Sequence, residues 1–409
     1  MNMTENNKLN IRSYSWFQNG LSWAYVCERL INAFDELGHN TYVVSTNGIN
    51  ENSFADKNKM LKSILALKDF GPGKKQIDID WCYTVPQNFP KRFLSNSKHK
   101  CAIYNYETWA PDGGWPKDWK RFYNLVDFYF PSSNFSAEVF CINGIPHEKT
   151  FVIPHGIDTK VFNPNITPVK ISTDKKFKFV SVVAPHFRKN IDLLLEAFCE
   201  AFTAQDDVCL ILKTKVFKYS DGIYDEARNP SGRKGFEIVL GDVFKRLKDK
   251  YGVNMPEIVV LNGHVENVAS IYNACHAHIT TTGSEGFGMP MLESMGSNLL
   301  NIAPRYSGQL DFMNDDNSLL IDTYMRPAKQ VEQYWNYNPK AKIGQPDKQH
   351  TIELMRKAVK EYDQLMYKFK PNMEKIVQEY SWTNAVKKII DATEGKMVPY
   401  RRGTYELPR

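Results

Sequence analysis

Apolar positions along the chain alternate between two rhythms. A short apolar and aromatic run at 11–17 predicts a strand, Asn19-Gly20 a turn, and Val26, Leu30, Ala33, Phe34 and Leu37 line one face of a helix over 23–37. Gly38 supplies a left-handed stop, and the β-branched and aromatic stretch 41–45 reads as the next strand. Strand, turn, helix, strand is the signature of a parallel sheet. The alternation continues with a strand at 101–106, a helix at 115–125, a strand at 127–131, a helix from Ser133 to Asn143 and a strand at 150–153. The turn Pro154-His155-Gly156-Ile157-Asp158 follows.

Pro164 and Pro168 then interrupt the pattern, which places a domain boundary after residue 165. The rhythm starts again with an apolar strand at 177–183 and a helix at 190–202, where Ile191, Leu194, Leu195 and Phe198 share a face. Strands follow at 208–213, 258–261, 277–281 and 299–302, with a short helix at 268–275 and a second helix opened by Pro290 in its first turn. A last amphipathic helix is expected at 382–393. Two successive α/β sheets imply a fold in which ligands bind beyond the carboxyl ends of strands.

Composition fits this division. A chain of 409 residues exceeds one ordinary core. Apolar content of 42% and charged content of 24% are those of a globular protein. No run approaches the roughly 18 apolar residues of a membrane helix. The polar first ten residues carry no apolar signal region. The seven cysteines are scattered without a Cys-x-x-Cys pair, as expected of reduced thiols in the cytoplasm. A net charge of +6 favours anionic ligands only weakly.

The sharpest chemical signal is Gly283-Ser-Glu285-Gly-Phe-Gly-Met-Pro-Met-Leu-Glu293. Two carboxylates bracket a glycine-rich turn that opens a helix. Gly286 and Gly288 let the backbone approach a ligand closely, and the helix N-terminus presents N–H groups to a phosphate. The carboxylates suit hydroxyls, such as those of a sugar and a ribose. Upstream, Arg188 and Lys189 lie in a strand-to-helix loop and suit a diphosphate, one as a fork and one as a point charge. The bland alternative makes Glu293 a helix-end charge and Glu285, Arg188 and Lys189 solvated loop residues.

The region 259–320 resembles the signature of the family 4 glycosyltransferases, with their Glu-x7-Glu motif, the preceding Gly263-His-Val265 and the short Ile271-Tyr-Asn-Ala-Cys-His stretch. Likeness extends to 181–198 and, more loosely, to 15–39 and 127–162. After Glu293 the sequence Ser294-Met-Gly-Ser-Asn-Leu-Leu departs from the family pattern, and the first glycine-rich loop is reduced to Asn19-Gly20. The resemblance implies the α/β GT-B fold, two Rossmann-like domains facing a deep interdomain cleft. It assigns 1–165 to the acceptor, 166–382 to the nucleotide-sugar donor, and 383–409 to a C-terminal helix and basic tail that crosses back to the first domain. Glu285 would face the donor sugar, Glu293 the ribose, and Gly286, Phe287, Gly288 and Met289 the sugar and phosphate oxygens. Gly20, Lys213, His264 and Val265 complete the implied donor site, with Arg188, Lys189, Glu107 and His155 completing the catalytic set. Transfer would retain anomeric configuration without metal or cofactor, the nucleotide-diphosphate sugar being a co-substrate.

Other signals are weaker. Asp78-Ile-Asp80 lies in an alternating stretch and reads as an edge strand rather than a metal site. His276 and His278 show no third ligand. For the acceptor, a saccharide or lipid-linked envelope-glycan precursor is expected, at the inner membrane face in the lipid-linked case. The alternative is DNA with a hydroxylated base, as in bacteriophages. It rests on Trp109, Trp115, Trp119, Phe122 and Tyr123 interleaved with Lys117, Lys120 and Arg121, and on Arg401 and Arg402 in the tail. A non-catalytic nucleotide-sugar binding protein is the alternative of another class.

Overall fold

The protein is described here by a computed structural model covering residues 8–15, 22–45, 67–109, 115, 117–214, 240–263, 265, 267–329, 332, 338–405 and 407. It divides into two compact units, Met1–Tyr106, Pro111–Gly156 and Glu379–Tyr405 on one side, Glu107–Ala110, Ile157–Gln378 and Glu406–Arg409 on the other.

In the first unit, β1 (Asn10–Ser15), α1 (Ser22–Glu36), β2 (Asn40–Ser45), β3 (Ile79–Tyr83), β4 (His99–Ile103), β5 (Phe128–Phe130) and α2 (Asn134–Ile142) follow one another. The five strands form a parallel sheet in the order β2-β1-β3-β4-β5. The apolar stripe of α1 is buried as its spacing requires, and Gly38 ends the helix region at φ 88°. Ser133 caps α2, its side chain accepting from the Ser136 amide at 3.1 Å.

Three expectations are corrected here. The Asp78–Asp80 stretch leads into β3, which is the central strand and not an edge. The Asp80 carboxylate is buried and accepts from Arg12 at 2.8 Å, Ser97 Oγ at 2.6 Å and the Leu94 amide at 2.9 Å. The expected strand at 150–153 joins the sheet only through a bridge from Thr150 to Tyr129, with the Phe151 and Ile153 amides donating to Tyr129 and Pro131. The expected helix at 115–125 is a 3-10 helix, Lys117–Leu125. Trp115, Trp119 and Tyr123 are buried, with Trp115 against Trp119, Tyr104 and Phe140. These three rings are spent on the core, so they are not a stacking surface for bases.

The second unit contains β6 (Phe177–Val182), α3 (Ile191–Ala201), β7 (Val208–Thr214), α4 (Leu240–Tyr251), β8 (Glu257–Asn262), α5 (Val268–Tyr272), β9 (Ala277–Ile279), α6 (Met289–Gly296), β10 (Leu300–Pro304) and β11 (Leu319–Ile321). Then come the antiparallel pair β12 (Thr323–Pro327) and β13 (Lys342–Pro346), and the helices α7 (Lys348–Lys360) and α8 (Tyr362–Glu379). Between β7 and α4, residues 215–239 lie outside the described residues. The main sheet is parallel in the order β11-β10-β9-β6-β7-β8. Counted within this unit, that is 6-5-4-1-2-3, the Rossmann order, and its direction reverses between β6 and β9.

α9 (Trp382–Thr393) belongs to the first unit, where Trp382 meets the Tyr25 ring of α1 edge-on. Gly156 is required there, since a Cβ would lie 2.2 Å from the Trp382 amide nitrogen. The division falls after Gly156 rather than residue 165 because Ile157 and Phe162 pack on α6. A Cβ on Gly296 would lie 2.4 Å from Ile157 and 3.3 Å from the Phe162 side chain. All seven cysteines are free, six of them buried. Among the described residues no helix is long and apolar enough to cross a membrane.

Asp80→Ala leaves the Arg12 guanidinium buried beside no carboxylate. Urea unfolding should show a loss of about 3–5 kcal/mol, with no dependence on added divalent metal.

Candidate functional site

The reversal between β6 and β9 places their two following loops side by side, and both carry chemistry. After β6 comes Phe187-Arg188-Lys189, a single 3-10 turn, then Asn190 at φ 48° leading into α3. After β9 comes 280–288, leading into α6. The loops are laced together. The Gly283 amide donates to the Arg188 carbonyl at 2.7 Å, the Asn190 side chain to the Thr281 carbonyl at 3.1 Å, and Thr281 Oγ1 to the Asn190 carbonyl at 2.9 Å.

Side chains converge across that seam. Lys189 Nζ donates to Glu285 Oε1, and Arg188 donates to the Ser284 carbonyl. Arg188 also lies 3.6 Å from Glu285 Oε2 and 2.7 Å from Glu107 Oε2. Glu285 is only 8% exposed. Burial alone pushes its carboxyl up, but Lys189 and Arg188 together outweigh burial and hold it below its ordinary value. Glu107 reaches this cluster because Trp109 forms an antiparallel bridge to Lys342 of β13, with backbone bonds of 3.0 and 2.8 Å.

The turn itself is braced on both sides. Gly288, at φ 105°, precedes α6, and Pro290 occupies its first turn. A Cβ on Gly283 would lie 2.9 Å from the Gly344 carbonyl oxygen of β13, and one on Gly308 2.3 Å from that of Gly286. Phe287 is buried against Phe312, with ring centroids 5.2 Å apart. Gly286 and Gly288 are buried and Met289 half-buried.

Glu293, one helical turn into α6, differs from Glu285. Its Oε2 accepts from Tyr272 Oη of α5 at 3.4 Å. Burial raises its carboxyl to about 7, and the tyrosine bond opposes this only partly. The two carboxylates are thus driven apart, one held ionised and one balanced near neutrality.

The remaining expected residues distribute unevenly. Lys213, buried at the end of β7, donates to the Gly263 carbonyl and bonds the Thr214 carbonyl at 3.4 Å, bracing the turn before half-buried Val265. Gly20 and His264 lie outside the described residues. His155 belongs to the first unit. It is buried, stacks on Trp382, lies 3.3 Å from Asn105 Nδ2, and is held neutral by burial, which lowers it to about 3. His278 is likewise buried, bonding Asn301 at 3.2 Å, and His276 stacks on Phe177. Among the described residues no group of three potential metal ligands gathers. Sequence reading missed Tyr272 as a partner, although it lies within the Ile271-Tyr-Asn stretch. It also missed Ser307 and Gln309, whose only local signal is the Ser-Gly turn after β10.

Comparison with known proteins bears on the family resemblance and the fold. Residues 164–341 match the family model described as Glycosyl transferases group 1. A curated relative, "Probable sucrose-phosphate synthase" of Thermosipho melanesiensis, is 24% identical over 175 residues, 41% of this chain and 35% of that protein. The match thus covers about a third of that relative's length. Among solved structures, a glycosyltransferase from Rickettsia africae superposes with a TM-score of 0.63 at 14% identity, covering 95% of this chain and 99% of that one. HepE from Anabaena, in complex with UDP and glucose, superposes with a TM-score of 0.60 at 12% identity, covering 94% and 100%. The fold is that of the GT-B glycosyltransferases, with two Rossmann-like α/β domains.

Because the folded protein holds the Glu293 proton more tightly than the unfolded chain does, this residue stabilises the fold fully below about pH 4.5. That contribution is lost as pH rises through about 7. Glu293→Gln, which mimics the protonated form, should therefore flatten the pH dependence and exceed the parent by about 2–3 kcal/mol near pH 9. Denaturant titrations of both proteins from pH 5 to about 9 measure the difference; parallel curves would contradict the assignment.

Proposed function

We propose that this chain is a retaining glycosyltransferase of family 4. It moves a sugar from a nucleotide-diphosphate sugar to an acceptor hydroxyl, that of a saccharide or envelope-glycan precursor. The observation that carries the reading is the convergence of Arg188, Lys189 and Glu285 at the Rossmann switch point, with Glu293 one turn along the helix that the glycine turn opens. The Glycosyl transferases group 1 match over 164–341 and the likeness to a protein solved with UDP and glucose support a nucleotide-sugar donor.

Donor binding exchanges partners in this cluster. The diphosphate oxygens take up Lys189 and the Arg188 fork, each bond to a charged group contributing about 1.5–3 kcal/mol. Glu285, ionised throughout the neutral range, turns its lone pairs to the sugar hydroxyls. Glu293 accepts from ribose hydroxyls. The amides of the α6 N-terminus add partial positive charge facing the phosphates.

Chemistry then rests on charge. As the bond between the anomeric carbon and the diphosphate oxygen breaks, negative charge grows on the departing phosphate, where the two cations stabilise it. The acceptor hydroxyl oxygen forms its bond to the anomeric carbon from the face the diphosphate leaves, which retains configuration, and the hydroxyl proton passes to the departing phosphate oxygen. Glu107 aims the Arg188 fork and offers a carboxylate to the acceptor. No metal is assigned a part, since basic side chains supply the positive charge.

Lys189→Ala should lower turnover roughly tenfold or more, and Glu293→Ala should weaken donor binding by a similar factor. Steady-state transfer or donor hydrolysis measures the first and calorimetric titration the second. Kinetics and affinity within about twofold of the parent for both would overturn the placement. Product analysis by NMR should show the donor's own anomeric configuration; an inverted product would remove the retaining mechanism.

A further inference from the structure

Ser307 sits in a backbone conformation that calls for another residue. Its φ is 76° and its ψ −158°, a region open to glycine and nearly closed to any residue with a Cβ. Its neighbour Gly308 is a glycine for a plain steric reason, the close approach of the Gly286 carbonyl described above. What serine adds at 307 is a hydroxyl. Ser307 Oγ accepts the Glu285 amide N–H at 2.7 Å and donates to Gln309 Oε1 at 2.9 Å. Gln309 Nε2 in turn donates to the Pro304 carbonyl at 3.0 Å, at the end of β10. The Glu285 carbonyl accepts from the Gly308 amide, also at 3.0 Å. Both main-chain polar atoms of Glu285 are thus gripped by residues 307 and 308, and Ser307, Gly308 and Gln309 are all buried.

We infer that Ser307 is a positioning residue: its Oγ sets the peptide plane entering Glu285 and so the direction in which that carboxylate meets the donor sugar. This rests on the reading of Glu285 as the sugar-facing group. Glycine would adopt the same backbone without strain, but it would leave the buried Glu285 N–H without this acceptor. Serine at 307 therefore carries backbone strain whose counterpart is a fixed Glu285. Gln309 extends the grip to β10, so the orientation of Glu285 is tied to the sheet and not to the loop alone.

Ser307→Gly and Ser307→Ala separate the hydroxyl from the backbone. Glycine removes the acceptor and the strain together; alanine removes the acceptor alone. Thermal melting, turnover and hydrogen exchange at the Glu285 amide are measured on the parent and both variants. Ser307→Gly should melt above Ser307→Ala, since both lose the acceptor and only alanine keeps the strain, yet turn over about tenfold more slowly than the parent, the factor expected from one lost bond. The Glu285 amide should exchange at least about tenfold faster in both variants. A merely structural residue would move stability and turnover in the same direction. Parental turnover in Ser307→Gly, or an equally protected Glu285 amide, overturns the inference. If the parent binds no nucleotide-diphosphate sugar, the functional reading fails instead, while the exchange measurement still decides whether Ser307 holds Glu285.

Discussion

The second unit is organised around a buried charge problem. Two consecutive cations, Arg188 and Lys189, are drawn out of water at the switch point, and a lone buried cation is costly. Glu285 and Glu107 offset that cost, but only because separate parts of the chain deliver them. Glu285 comes on a loop laced to the cations' own loop and braced by Gly308 and Gly344; Glu107 comes on a segment bridged to β13. The Rossmann order makes this possible by setting the ends of β6 and β9 next to each other. Charges arranged this way are preorganised, as the proposed stabilisation of a departing diphosphate requires.

The two carboxylates that flank the glycine turn differ through their surroundings. Glu285 faces two cations and stays ionised; Glu293 faces one tyrosine hydroxyl and titrates near neutrality. Identical side chains eight residues apart thereby acquire different affinities for a proton, and the difference comes from neighbours that are distant in sequence.

That is also where sequence reading succeeds and stops. The glycine turn and its flanking glutamates were legible because their spacing follows local rules of turns and helix starts. The apolar faces of α1, α3 and α9 were legible for the same reason, as period-3.6 stripes. The role of Asp80 was not. An alternating Ile-Asp-Ile-Asp looks like an edge strand until Arg12, sixty-eight residues earlier, is seen to neutralise it. The aromatic positions at 115–123 stay ambiguous in the sequence because composition cannot distinguish a ring that packs from one that waits for a base; Trp115, Trp119 and Tyr123 pack. Nor does any local signal show that β12 and β13 pair, that Trp109 joins β13, or that Ser307 adopts a glycine conformation. Each depends on contacts made only after the sheet has formed.

A crystal structure with a bound nucleoside diphosphate sugar tests the central claim most directly. The account predicts diphosphate oxygens within hydrogen-bond distance of Arg188 and Lys189, a ribose on Glu293 and sugar hydroxyls on Glu285. A nucleotide lying elsewhere, with those four side chains keeping their present partners, would contradict it.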